Sequence, residues 1–444
     1  MASLIAVEHV RIGMFIHLEG GWLSHPFPRS SFKLATDKEL ATLHGLGLTQ
    51  VEWSPEKSDA PAAEGPAAAR ATVAGSGSGA NAATGAASAT PDAAAERRRA
   101  ELAAQREALR RCERQYAEAA SAWRSAQDKL SVSPEEARRA TQALAEDMLG
   151  RMLGDQDIGI RLVSGAGGDR ATAHALNVSV VSLLIGRALG LPEEDMLDLG
   201  VGALLHDVGK HDLADRLRHP DDSFSPAEMA GYRDHVAKGV AQARRMGLSL
   251  GAASVIAQHH EHADGSGFPQ KLTVDRMTAA ARIVAIVNRY DNLCNPPARS
   301  HSLTPHEAVS MLFAQGRTRF DQAILGAFIR MMGVYPAGSL VQLTDDRFAM
   351  VVGVNSSRPL KPRVLVFEPK ISRSEALLLN LEEAPDLGIR RSLTATKLPL
   401  PALEYLDPRP RVSYYFEPLS AAETAAETAA CDTTCAAGRR ALAA

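Results

Sequence analysis

The chain has 444 residues, a length that accommodates about three domains of ordinary size. Hydrophobic residues make up 45% and charged residues 23%, as in globular proteins, but aromatic residues reach only 5%. Alanine therefore supplies much of the apolar count, and part of the chain is expected to lie outside a packed core. The formal net charge of -3 leaves no overall basic field for a nucleic-acid backbone, which argues against nucleic-acid binding.

The cysteines and the N-terminal segment predict a soluble cytoplasmic protein. Only Cys431 and Cys435 are close in sequence, so no disulfide framework is expected, and without neighbouring histidines this pair is too small for a zinc site. The chain does not start with a basic segment before a long apolar run. It also has no apolar stretch approaching about 18 residues, so we expect neither a signal peptide nor a membrane span.

Residues 1–53 predict a small β-rich domain of α+β type. The segment 10–18 (VRIGMFIHL) alternates with a strand-like period, and residues 32–34 and 51–53 are further candidate strands. Asp37 is a candidate cap for a short helix through Leu43. Residues 54–95 are rich in Ala, Gly, Ser and Pro, and have too little bulky apolar surface to offset chain entropy. They predict a flexible linker.

Residues 96–132 predict a helical spacer, because helix formers dominate without an internal Pro or Gly. Apolar side chains recur there every seven residues, at Leu102, Leu109, Tyr116, Trp123 and Leu130. This repeat is typical of a short coiled coil and would make residues 96–130 a homodimer seam. The alternative is one amphipathic helix that lies on its own domain, and Gln105 in the seam argues against the coiled coil.

From Pro134 onward the sequence predicts an all-α domain of about two hundred residues, so the fold class is mainly α. Helix starts are expected at Asp169, Ser225 and Thr304. Past Tyr335 short β-branched runs predict strands over about 338–370, within a C-terminal β extension at 338–415. Residues 420–444 are Ala- and Thr-rich and are predicted to be disordered.

Histidines in the helical region predict a metal centre. His206 and Asp207 end an apolar run (LLHDVGK), and Lys210 follows one turn later. They are joined by His174, His235 and the doublet His259-His260. Burying these polar groups on apolar-faced helices is costly without a ligand. Imidazole and carboxylate suit first-row divalent metals, and a carboxylate can bridge two ions. Because these ligands exceed the needs of one tetrahedral ion, we expect two metals.

This ordered series, followed by the loop Asp264-Gly265-Ser266-Gly267-Phe268-Pro269, resembles the HD-GYP family, a branch of the HD-domain metal phosphohydrolases. The resemblance implies an all-helical HD-type catalytic domain over residues 140–345. Residues 1–53 also look like a small domain of unknown function that often precedes such domains. The family implies a cyclic di-GMP phosphodiesterase forming pGpG or GMP. It also implies iron or manganese, with nickel, cobalt, magnesium and zinc as other candidate metals.

The resemblance and the dimetal chemistry assign roles to individual residues. Asp207 is expected to bridge the metals, and Lys210 to contact the phosphate or help the departing ribose oxygen. The expected metal ligands are His174, His206, Asp207, His235, His259, His260 and Asn288. The expected substrate contacts are Lys210, Gly265, Gly267, Phe268, Pro269 and Arg299.

Some residues depart from the family pattern and bear on activity. Asn288 stands where the family has its last ligating aspartate, and Asp291 matches the second acid of that pair and is expected to be structural. Arg170 stands where trinuclear members carry a glutamate, so two metals are expected rather than three. Phe268 replaces the signature tyrosine and keeps its stacking surface. Arg299 would serve as a phosphate-binding arginine only if its loop shifts.

These departures leave alternatives to hydrolysis of cyclic di-GMP. The main one is a catalytically weak domain that binds cyclic di-GMP or a protein partner, such as a diguanylate cyclase, without turnover. A further one keeps the hydrolase but changes the substrate to another nucleotide or phosphoester, because dimetal chemistry does not itself select guanine.

Overall fold

The computed structural model divides the chain into two units, Met1–Glu96 and Arg97–Ala444. It describes residues 3–17, 31–34, 40, 43–44, 50–55, 58, 91–152, 158–164, 169–297, 301–356 and 358–418. Most of the predicted linker and of the short helix after Asp37, the whole predicted tail with Cys431 and Cys435, and Arg299 lie outside these residues.

The first unit contains a four-stranded antiparallel sheet in the order β1-β4-β2-β3. Its strands are β1 Ser3–Ala6, β2 Phe15–His17, β3 Ser31–Lys33 and β4 Gln50–Trp53. Ile16 and Leu34 are fully buried in its core. The strand predicted over 10–18 is shorter than expected, because residues 11–13 turn before β2 begins. The strand predicted at 51–53 is confirmed by β4.

Helices dominate the second unit. They are α1 Pro91–Asp128, α2 Pro134–Met152, α3 Arg170–Ala188, α4 Glu193–Leu205, α5 Pro226–Met246, α6 Leu250–Gln258, α7 Ala279–Cys294, α8 Pro305–Arg319 and α9 Gln322–Met332. The predicted caps Asp169, Ser225 and Thr304 are confirmed, since each side chain accepts a hydrogen bond from the first turn of its helix. By length and composition α3 could span a membrane, but 78% of its apolar window is buried inside the fold.

The surface of α1 that carries the seven-residue repeat packs against its own chain. The ring of Tyr116 contacts that of Tyr415 edge-on, with centroids 6.1 Å apart. Gln105, the polar residue of the seam, accepts a hydrogen bond from the Leu378 backbone N–H at 2.9 Å. The repeat residues of the C-terminal half are buried, namely Tyr116, Trp123 and Leu130. The repeat surface is therefore satisfied within the chain, as in the alternative interpretation, rather than free for a second copy.

A second, seven-stranded sheet packs with the helices. Its strands are β5 Ile158–Leu162, β6 Leu340–Leu343, β7 Phe348–Asn355, β8 Arg363–Val366, β9 Leu378–Asn380, β10 Ile389–Leu393 and β11 Tyr414–Pro418. A short helix, α10 Leu400–Leu406, precedes β11. The strands predicted over 338–370 are confirmed by β6, β7 and β8. The all-helical prediction is wrong at β5, which pairs antiparallel with β7 and β11, two strands far along the chain.

The C-terminal extension is joined to the helical core by side-chain amides. Asn177 on α3 donates to the Val412 carbonyl at 3.0 Å and accepts from the Tyr414 N–H at 2.9 Å. Asn295, just after α7, bonds both the N–H and the carbonyl of Val412. The hydroxyls of Tyr290 and Tyr414 lie 2.9 Å apart. This extension is therefore part of the helical domain's own structure.

A buried ion cluster links Glu417 on β11 to Arg161 on β5 and Arg363 on β8 of the same sheet. We expect the substitution Glu417→Gln to break this cluster. The Glu417 carboxylate lies 3.1 Å from Arg161 Nη1 and 2.6 Å from Arg363 Nη2, and its side chain is only 6% exposed. Burial alone would raise the pKa of Glu417, but the two guanidinium groups lower it. Removing this charge takes the carboxylate away from the buried Arg161 guanidinium, so the free energy of unfolding should fall by about 3–5 kcal/mol in chemical denaturation.

The exposed Glu404 provides the control. Glu404→Gln should change the free energy of unfolding by no more than about 0.5 kcal/mol. Because the pKa of Glu417 is lowered on folding, its contribution is present above the ordinary glutamate pKa and is lost as the pH falls through the lowered value. Equal stability of Glu417→Gln and Glu404→Gln at neutral pH would contradict a stabilising role for the cluster.

Candidate metal centre

Four helices supply the side chains of the centre. His174 lies within α3, His206 caps the end of α4 with Asp207 next to it, His235 lies within α5, and His259 caps the end of α6. The ends of α4 and α6 therefore present their last side chains to the start of α3 and to the middle of α5. His174, His206, His235 and His259 are each at most 7% exposed.

Gly209 allows α5 to approach the segment after Asp207 closely. A Cβ atom at Gly209 would lie 1.9 Å from the carbonyl oxygen of His235 and 2.4 Å from the backbone nitrogen of Gly239. No side chain can occupy that space without a backbone shift. The close contact thus places His235 beside Asp207.

The Asp207 carboxylate lies between two pairs of imidazoles. His174 Nε2 and His206 Nε2 are 3.1 Å apart, and Asp207 Oδ2 is 3.6 Å and 3.4 Å from them. His235 Nε2 and His259 Nε2 are 3.2 Å apart, and Asp207 Oδ1 is 3.7 Å from each. The side chains form two groups of metal-ligand type that share Asp207, one with His174 and His206, the other with His235, His259 and His260.

Hydrogen bonds on the far side of each ring fix its tautomer. Nδ1 faces a backbone carbonyl in three rings, at 2.7 Å in His206, 2.6 Å in His235 and 2.8 Å in His259. Nδ1 of His174 faces the Asp291 carboxylate at 2.6 Å. Carbonyls and carboxylates accept, so Nδ1 carries the proton and Nε2 presents a lone pair. Two facing lone pairs cannot bond each other, and a cation between them satisfies both.

Protonation states in the centre suit metal binding. Asp207 Oδ2 accepts from Lys210 Nζ at 2.6 Å, whereas the buried Oδ1 has no hydrogen-bond partner among the residues that the structure describes. Burial alone would raise the pKa of Asp207, but the Lys210 ammonium holds it well below its usual value. Burial lowers the pKa of His259 and His260 well below the usual value. An ionised carboxylate with neutral imidazoles is the ligand set that divalent cations require, so these residues fit two such ions.

Asp291 and Asn288 differ in their contacts. Asp291 holds the His174 ring and accepts from the amides of Asn177 and Asn295 at 2.7 Å and 2.9 Å, which is the structural role expected for it. Asn288 Oδ1 accepts from Asn292 Nδ2 at 2.6 Å, on the same face of α7. The amide oxygen expected as a metal ligand is therefore engaged by its own helix.

Arg170 lies at the edge of the centre with all of its guanidinium nitrogens engaged. Nη2 donates to Asn292 Oδ1 at 3.2 Å, Nε donates to the Asn295 carbonyl at 3.1 Å, and Nη1 lies 3.1 Å from His219 Nδ1. A fixed positive charge at this position disfavours a further cation. The contact supports two ions rather than three.

The loop after the histidine doublet is held against the centre. The buried Glu261 carboxylate accepts from the backbone N–H groups of Gln270 and Leu272 at 2.6 Å and 2.9 Å. A Cβ atom at Gly267 would lie 2.5 Å from the His260 carbonyl oxygen, so only glycine fits there. The Phe268 ring stacks on His260 with centroids 4.4 Å apart, which keeps the stacking surface expected of the replaced tyrosine. Gly265 and Pro269 belong to the same loop.

Sequence reasoning missed Tyr232. Its carbonyl fixes the His235 tautomer, its hydroxyl lies 3.4 Å from His260 Nε2, and Lys210 Nζ is 5.4 Å from its ring centroid. Its position three residues before His235 on one helix was the available signal.

Sequence reasoning also missed two residues of α1. Trp123 and Gln127 line a cavity of about 180 Å³ together with His174, His206, Asp207 and Lys210. The seven-residue repeat identified Trp123 only as a seam residue, because periodicity does not reveal what a face packs against.

Substituting Gly209 tests the close contact that places His235. Gly209→Ala should lower the free energy of unfolding by about 1–3 kcal/mol and reduce bound metal, because the new methyl group displaces the His235 backbone. Gly150→Ala is the matched control, because Gly150 lies in α2 and an added Cβ there would have no atom from outside the helix backbone within 4 Å. This substitution should leave the free energy of unfolding unchanged or raise it by up to about 1 kcal/mol. Thermal unfolding and metal analysis measure both, and normal metal content in Gly209→Ala would contradict this account.

Asp291 is expected to act on metal affinity through His174. Asp291→Asn removes the carboxylate that fixes the ring, so the affinity for the divalent metal should fall about 10–100-fold in a chelator competition titration. The exposed Asp234, next to His235 on α5, provides the control Asp234→Asn, which should leave the affinity unchanged. The same affinity in both variants would exclude the positioning role of Asp291.

Comparison with known proteins connects this centre to a family. A model of a domain of unknown function (DUF3391) matches residues 3–141, and a model of the HD domain matches residues 136–324. A cyclic di-GMP phosphodiesterase of Pseudomonas aeruginosa is 27% identical over 376 residues, covering 83% of this chain and 85% of that protein. A cyclic di-GMP phosphodiesterase response regulator of Xanthomonas campestris is 29% identical over 162 residues, 36% of this chain and 43% of that protein. The chain therefore carries a match to the HD domain that follows a match to a domain of the DUF3391 type.

Proposed function

We propose that this protein is a cyclic di-GMP phosphodiesterase that hydrolyses the cyclic dinucleotide to pGpG, or onward to GMP, at a centre of two divalent metal ions. The observation that carries the chemistry is the ionised Asp207 carboxylate between two pairs of imidazole nitrogens that present only lone pairs. The similarity to cyclic di-GMP phosphodiesterases of Pseudomonas aeruginosa and Xanthomonas campestris supports the choice of substrate.

The proposed ligand set follows the two groups that share Asp207. The ligands are His174, His206, Asp207, His235, His259 and His260, with Asn288 as a proposed neutral ligand once its bond to Asn292 is released. Imidazole ligands suit iron and carboxylate ligands suit manganese, and we propose these two as the candidate metals. Bound divalent ions would polarise the phosphodiester and lower the pKa of an attacking water.

The chain's own cations complete the site for an anionic substrate. Lys210 is held by Asp207 and lines the cavity, so its ammonium can contact the phosphate and donate a proton to the departing ribose oxygen. Arg170 and Arg218 line the same cavity and add positive charge. The loop at Gly265 to Pro269 presents the Phe268 ring, with the guanidinium of Arg233 5.1 Å from its centroid, as a stacking surface for a base.

A cytoplasmic location is part of this proposal. Cys112 and Cys294 are free, buried thiols, which fits a reducing compartment. A protein partner such as a diguanylate cyclase would belong to the receptor alternative.

Hydrolysis of cyclic di-GMP by purified protein tests the proposal. The protein is purified without oxygen, its metals are counted, and pGpG and GMP are separated after incubation with added iron or manganese. Wild-type protein should turn over cyclic di-GMP, and Asp207→Ala should lower kcat/KM by about a hundredfold or more, because the ligand shared by both groups is lost. Asp234→Ala is the exposed control on α5 and should match wild type.

If the wild-type protein has metal bound but hydrolyses cyclic di-GMP no faster than Asp207→Ala does, the proposed enzymatic function is refuted. If such protein still bound cyclic di-GMP, the result would favour the receptor alternative. If the protein cleaved another phosphodiester faster than cyclic di-GMP, it would be a hydrolase with a different substrate.

A further inference from the structure

The cavity beside the metal centre has α1 as one of its walls. Trp123, Gln127 and Leu130 line one side, and His174, Asp207 and Lys210 line the other. Its volume of about 180 Å³ is below the range of about 300–1,000 Å³ that is usual for ligand sites. An occupant that reaches Asp207 in so narrow a space contacts both walls. The α1 segment lies within the match to the domain of unknown function, whose role is unassigned.

The Trp123 side chain has a hydrogen-bond donor that the fold does not use. It is only 3% exposed, and its indole N–H has no acceptor within the described part of the chain. Other contacts hold α1 in place, such as the edge-on contact of Tyr116 with Tyr415 and the ion pair of Glu118 with Arg151 at 3.7 Å. A buried donor without a partner destabilises a fold, so an indole in this position is better explained by a ligand than by packing.

We propose that Trp123 is a substrate-contacting residue that helps select a nucleotide, with its indole N–H donating to an acceptor atom of the nucleotide held at the metal centre. Gln127, one turn further along α1, adds an amide that can both donate and accept. This inference rests on the proposed function. The cationic side chains of Arg170 and Lys210 on the opposite wall favour an anionic phosphodiester as the other part of the ligand.

The chemistry of the α1 wall suits a nucleotide better than a simple phosphate ester. Guanine offers the acceptors O6 and N7 for N–H donors, and the ring face of a base stacks on aromatic side chains. A phosphodiester that has no base could still reach Asp207 and Lys210, but it would lack the purine acceptors O6 and N7. Discrimination between these substrates therefore reports on Trp123.

Trp123→Phe keeps the aromatic packing and removes the N–H. The KM for cyclic di-GMP should rise about three- to tenfold, with kcat, metal content and Tm as in wild type. Hydrolysis of bis(p-nitrophenyl) phosphate, which has no base, should be unchanged. Tyr116→Phe is the matched control, because it removes a hydroxyl from a buried ring of the same helix that does not line the cavity. It should leave the KM for both substrates unchanged.

Calorimetric titration with cyclic di-GMP gives a second measurement that does not require turnover, and Gln127→Ala provides a second variant should Trp123→Phe fail to fold. A higher Kd for cyclic di-GMP in either variant supports the inference, provided that the Kd of Tyr116→Phe equals that of wild type. Unchanged KM and Kd in both would overturn it while hydrolysis by wild type stands. An equal rise in KM for both substrates would also overturn it. Wild type that neither binds nor cleaves cyclic di-GMP would overturn the proposed function, and this inference with it.

Discussion

The arrangement of the candidate metal centre depends on one partly buried carboxylate, that of Asp207. Within the described part of the chain, the Asp207 carboxylate pairs with Lys210, whose Nζ lies 2.6 Å from Oδ2, and its Oδ1 has no hydrogen-bond donor. The imidazoles around it face it with lone pairs, because their protons are held on the opposite side by carbonyls or by Asp291. Anion and lone pairs repel one another at these distances, and burial in a low-dielectric interior strengthens the repulsion. Divalent cations held by these side chains would replace this repulsion with attraction.

The surrounding fold keeps this arrangement from collapsing. Asp291 fixes the His174 ring, and the amides of Asn177 and Asn295 fix Asp291 in turn. The same two amides bond the backbone at Val412, just before β11. A continuous series of hydrogen bonds thus runs from the C-terminal strand to a histidine of the centre. The β extension, which looks like an appendage in the sequence, supports the orientation of a proposed ligand.

The parts that could be predicted from the sequence are those that local signals determine. Ser225 and Thr304 mark helix starts because a cap acts within its own turn, and the ordered His and Asp series is recognisable because each member carries its chemistry in its side chain. The strand β5 could not be predicted, since five residues become a strand only through β7 and β11, which lie far along the chain. The repeat in α1 predicted a buried face but not its partner, which is Tyr415 and the C-terminal extension.

The departures from the family pattern make electrostatic sense when they are taken together. An asparagine at 288 in place of an aspartate removes one negative charge, and an arginine at 170 in place of a glutamate replaces a negative charge by a positive one. Both changes lie close together, because Asn292 bonds the amide of Asn288 and the guanidinium of Arg170. Relative to the trinuclear pattern, the site loses the attraction for a third cation and keeps a fixed positive charge in the wall of the cavity. An anionic phosphodiester can therefore meet a compensating cation there even though the whole chain carries a net charge of -3.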